Sequence, residues 1–109
     1  MTKHFFIALM FSFSSFAMSD TTDCPNMNIN KFFVEGKRDD AYVLESKLVV
    51  VFHEACDGKT IVYADLNNPA YPGFLSVVLS AKAMNQSVNI AVNSNNAITN
   101  ANELAYIGF

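Results

Sequence analysis

The chain opens on a short basic start, Lys3 and His4, followed by an apolar run over 5–16 that only serines interrupt. Ala17, Met18 and Ser19 then place small residues at the spacing signal peptidase accepts, so residues 1–19 read as a secretory signal peptide. The run is about a dozen residues, against roughly 20 needed to cross a hydrocarbon core, and is too short for a membrane span. Cleavage after Ala17 fits nearly as well as cleavage after Ser19, and the competing reading is a buried N-terminal core helix. No lipobox abuts Cys24, so a lipid anchor is not expected.

Beyond the leader the pattern predicts strands and one helix. Residues 20–26 are polar and read as a tether. Residues 27–35 alternate loosely, with Met27, Ile29 and Phe33 on one side, and predict a first strand. A charged turn over 36–40 follows. Residues 42–54 predict the longest strand, whose second half is apolar on both faces, as in a strand covered on both sides. The run Cys56, Asp57, Gly58, Lys59 carries Asp-Gly turn chemistry, and residues 60–64 are a short β-branched and aromatic third strand.

Asn68 has the side chain to cap a helix with Pro69 at its first position, although Pro72 and Gly73 allow a later start at Pro72. From Phe74 to Met84 only Ser76, Ser80 and Lys82 are polar, which predicts a helix buried on more than one side. Asn85 suits the left-handed residue that closes it. Residues 88–92 alternate strictly as a fourth strand, 93–103 read as an asparagine-rich loop, and 104–109 as a fifth strand. No repeat or linker divides residues 20–109, which fits one small domain.

Charge narrows the function. Removing Lys3 leaves six basic residues against ten acidic ones, a net charge near −4, so a nucleic-acid or anionic-membrane surface is not expected. Many of the ten phenylalanines belong to the leader, and the exported protein is expected to be soluble. Two cysteines follow the leader, Cys24 and Cys56. In an oxidising compartment such a pair reads as a disulfide. The competing reading is a metal site of His53, Cys56 and Asp57, which lacks the two-pair spacing of a zinc site.

Cys56, the strand Ile61-Val62-Tyr63-Ala64-Asp65, Asn68-Pro69, the helix Phe74-Leu75-Ser76-Val77-Val78-Leu79-Ser80-Ala81-Lys82-Ala83 and the strand Val88-Asn89-Ile90-Ala91-Val92 together resemble a group of small exported bacterial proteins. That group is related to the binding (B) subunit of subtilase-type AB5 toxins. The resemblance covers 49–109. It implies a mainly β fold with one helix, a small five-stranded OB-fold-like Greek-key barrel with the helix between strands 3 and 4. Members of the group often carry their second cysteine just after the strand that follows the helix. This chain has Asn93-Ser94-Asn95 there, so Cys24 is the only partner for Cys56. No glycan-binding residue carries over from the group.

Catalytic patterns are missing from the sequence: there is no Gly-rich phosphate loop, no Gly-x-Ser-x-Gly, and His53-Glu54 is not followed by a second histidine at metal spacing. Glu35, Glu45 and Glu54 fall on predicted strands without a sign that any two face each other. Tyr42, Tyr63, Tyr71 and Tyr106 are candidates for stacking on sugar rings, with core packing expected for at least two. The expectation is therefore a secreted or periplasmic, non-enzymatic binding module, glycan-binding and B-subunit-like, recognising its ligand at the barrel rim or the Asn-rich loop. The alternative is a periplasmic structural or assembly protein acting through oligomerisation or a protein partner. A homo-oligomer, a pentamer by the resemblance, fits either; no catalytic, cofactor or metal residue is assigned, and the ligand residues stay open.

Overall fold

The computed structural model describes residues 20–109, and the expected signal peptide lies outside the described residues. The order of elements is β1 (Thr21–Met27), β2 (Ile29–Glu35), β3 (Lys47–Cys56), β4 (Lys59–Asp65), α1 (Tyr71–Met84), β5 (Val88–Ile98) and β6 (Ala101–Gly108). The fold is mainly β with one helix, but the sheet has six strands rather than five, and α1 lies after the fourth.

The extra strand is the segment expected to be a tether. Thr22 and Cys24 are half-buried while Thr21 and Asp23 face solvent, and Thr22 pairs with Val92 and Cys24 with Ile90. A backbone ladder needs no apolar side chain, which is why polar residues 20–26 concealed it. The same reason corrects the Asn-rich loop. β5 runs on through Asn93 to Ile98, and only Thr99 and Asn100 form the turn into β6. The predicted second strand shortens at its start, since 36–46 is a loop held by Ser46 N–H donating to Gly36 O at 3.0 Å.

The strand order is β1-β5-β6-β4-β3-β2, antiparallel throughout except for β4 against β6. β1 and β2 stand at opposite ends of that order, yet only Asn28 separates them in the chain. The sheet therefore curls until its two ends share one stretch of backbone. The Cys24–Cys56 disulfide, with its Cα atoms 5.8 Å apart, ties β1 to the end of β3.

Inside the curl, Leu48, Val50 and Phe52 of β3 meet Val62, Val88, Ile90, Val92 and Leu104, and α1 closes the end with Phe74, Val78 and Ala81. Those three helix residues lie on one stripe, and Leu79 and Met84 are exposed, so burial on more than one side is corrected to burial on one. The helix starts later than Asn68: Ala70 occupies the N-cap and Pro72 falls in the first turn, while the Asn68 carboxamide accepts from Ala70 N–H at 2.9 Å. Asn85 closes it in the left-handed conformation, as its residue type predicts. A smaller apolar cluster covers the other face of β3 and β4, where Val49 and Tyr63 pack with Leu44 from the 36–46 loop and with Ala101, and Ile98 flanks them.

Candidate binding cleft

The joint between β1 and β2 builds one wall of a cleft. The chain leaves its ladder with β5 and joins β3, and the pairing register breaks on both sides of the joint. Asn28 sits at the crossing and is fixed by β3: its carbonyl accepts from His53 N–H at 2.9 Å. Its backbone N–H and its side-chain amide each donate to a different oxygen of Glu54, both at 2.7 Å. These two donors, the backbone one foremost, hold the Glu54 carboxyl below its ordinary value, with His53 adding to the effect.

The last turn of α1 builds the opposite wall. Lys82 reaches across to donate to the carbonyl of Asn30 at 2.9 Å, which fixes the separation of the walls. Asn28, Ile29, His53, Glu54, Ala81, Lys82, Asn85 and Gln86 line a cleft of about 310 Å³, at the small end of ligand-site volumes. Ile29 and Ala81 are buried and give it an apolar floor, whereas His53, Lys82, Asn85 and Gln86 form an exposed polar rim. Glu54 and Lys82 are engaged within the protein. The imidazole of His53 and the carboxamides of Asn85 and Gln86 are open to a ligand, as donors and acceptors in one small space. One carboxylate and one ammonium nearly cancel, so the cleft suits a polar ligand of low net charge.

The structure does not gather the residues singled out by sequence into one site. His53 is in the cleft wall, but the Cys56 sulfur is bonded to Cys24 and cannot ligate a metal, and among the described residues no three His, Cys, Asp or Glu side chains gather for one. Glu35 and Glu45 meet around Arg38, the first through Nη1 at 3.1 Å and the second through its backbone N–H at 2.7 Å. Tyr63 is buried with its hydroxyl donating to Asn96 O at 2.7 Å, and burial foremost, then Glu103 and Asp65, raises its pKa. Tyr71 packs half-buried on the core, and the Arg38 guanidinium sits 4.5 Å from the Tyr42 ring centroid. Tyr106 keeps an exposed ring, its hydroxyl donating to Asp23 at 3.0 Å.

The asparagines are mostly structural. Glu103 accepts from the amides of Asn93 at 2.9 Å and Asn96 at 2.7 Å, which stitches β5 to β6. The outer face of β3 and β4 is covered by Leu44, which packs with Val49 and Tyr63. Sequence reasoning missed Asn28, Lys82 and Gln86. Asn85 is legible only as the helix-closing residue and Lys82 only as one of the helix's three polar positions, and nothing in the pattern signals that β1 bends beside that helix end. No family model, curated protein or solved structure matches this chain.

Proposed function

We propose that this chain is an exported, non-enzymatic binding module that takes a small hydroxyl-rich ligand, a sugar unit of a glycan, in the cleft between the β1–β2 joint and the end of α1. The observation that carries the reading is the set of unengaged polar groups, His53, Asn85 and Gln86, on an apolar floor of Ile29 and Ala81. Amides and an imidazole match vicinal hydroxyls, which both donate and accept, and the floor matches the C–H face of a sugar ring. With β1 and β2 counted as one bent strand, the order of pairing and the helix after the third strand support the reading of a five-stranded OB-fold-like Greek-key barrel. That layout supports the B-subunit-like reading of 49–109. A disulfide persists in an oxidising compartment, which supports export.

A glycan array probed with the purified protein should show binding to a restricted sugar class. His53→Ala and Gln86→Ala should each weaken it about tenfold, the worth of one hydrogen bond to a group left unpaired. A blank array across broad sugar classes overturns the reading, as does binding that both variants leave unchanged. An adjacent gene for a catalytic toxin subunit would support the B-subunit role.

A further inference from the structure

β2 ends the strand order, so among the described residues no strand covers its outer side. Its seven residues carry unusually apolar exposure for an edge: Phe33 is 44% and Val34 50% exposed. Edges of this kind pair with other chains unless they are blocked. The block here is partial. The Lys82 ammonium occupies the carbonyl of Asn30 at 2.9 Å, at the start of the strand.

The pairing with β3 sets the geometry of the open part. From Lys31 to Glu35 the ladder with β3 is regular, one residue for one. Backbone groups alternate in direction along such a strand. His53 N–H points from β3 to Asn28, so by alternation Val51, Val49 and Lys47 point to β2 as well. Their partners Lys31, Phe33 and Glu35 turn their backbone groups to β3, and those of Phe32 and Val34 face outward. Side chains alternate as well, so Lys31, Phe33 and Glu35 share one face and Phe32 and Val34 the other. The Lys31 ammonium, 5.8 Å from the Phe33 ring centroid, lies on that first face.

We propose that two copies of this chain pair antiparallel through β2, about a two-fold axis at Phe33. In this register Phe32 of each copy opposes Val34 of the other, so the outward-facing residues meet and exchange both of their backbone hydrogen bonds. Phe33 meets its own counterpart at the axis, where side chains approach most closely. Lys31 falls opposite Glu35 of the second copy, twice by symmetry. Glu35 holds Arg38 through Oε1 at 3.1 Å, which leaves Oε2 for the incoming ammonium. A register shifted by two residues in either direction sets Lys31 or Glu35 against Phe33 and forfeits both charge pairs. One surface patch therefore complements itself, which is the requirement of an isologous dimer. This pairing stands on the strand edge and its charges, independent of the cleft.

Sedimentation equilibrium of the purified protein over micromolar concentrations tests it. The expected result is a monomer–dimer equilibrium. Lys31→Glu and Glu35→Lys should each raise the dimer Kd by about tenfold or more, because two attractive cross-strand pairs become repulsive. The double exchange K31E/E35K restores opposite charges across the axis and should restore dimerisation, although it leaves the Glu35–Arg38 contact broken. Val34→Pro removes an outward N–H without touching the β3 ladder and should abolish the dimer while circular dichroism stays that of the wild type. A strict monomer, a ring of higher order, a dimer indifferent to these changes, or a double exchange that fails to rescue would each overturn the proposal.

Discussion

Glu54 is the residue on which the cleft turns, because its carboxylate holds the β1–β2 joint through both donors of Asn28. Those hydrogen bonds favour the ionised form, so the folded-state pKa lies below the unfolded one. A carboxyl depressed in this way contributes stability that is fully present above its unfolded pKa of about 4.3 and is lost as the pH falls through the lower folded value. In thermal melts, Glu54→Gln should be less stable than the wild type at neutral pH. The gap should close as the pH falls from the ordinary carboxylate range through the lower folded value, where the wild-type carboxyl takes up its proton. A gap that stays constant with pH would show that the charge of Glu54 contributes nothing to the joint. His53 was legible in the sequence as a lone histidine at a strand end. Its role as a rim group depends on Asn85 and Gln86, which lie some thirty residues away in the chain and meet it only through folding.

At the scale of elements, α1 carries the sharpest expectation. Val78 is fully buried against the sheet, and Ser80 is exposed. Val78→Asp should cost about 3 kcal/mol or more, since a buried carboxylate finds neither water nor a partner, whereas Ser80→Asp should stay within about 0.5 kcal/mol. Chemical denaturation of the two variants checks this, and equal losses would mean that the helix is turned about its axis. The helix itself was legible from its apolar run and its closing asparagine. Its single buried stripe was not, because residues such as Leu79 and Met84 fit a core as well as a surface. β3 shows the opposite case. Its two-sided apolar pattern predicted cover on both faces, and Leu48 and Val49 do enter different clusters. β1 and the far half of β5 were illegible, since their ladders are made by backbone groups that every polar residue also carries.

For the whole molecule, the disulfide is the principal long-range constraint. It closes a separation of 32 residues and pins an edge strand that buries few apolar side chains of its own. On the chain-entropy estimate such a loop is worth about 3 to 4 kcal/mol, a large part of the stability of a small domain. Cys24→Ser should therefore lower the melting temperature by about 10 °C or more, read by differential scanning calorimetry. Mass spectrometry after alkylation of the native protein should find no modified thiol. Two alkylated cysteines would refute the bridge.

The sequence alone determined what depends on residue type and local period: the apolar leader-like run, the alternation of 88–92, the helix and its stop, and the presence of two cysteines able to pair. These signals are local, and local physics produces them. The tertiary structure alone decided which backbones lie side by side: that a polar stretch before Met27 forms a sixth strand, that the Asn-rich run extends β5, and that Asn28, His53 and Gln86 face one another across a cleft. Such neighbours are set by the curl of the sheet and by where α1 ends against it, and a one-dimensional pattern of polar and apolar positions records neither.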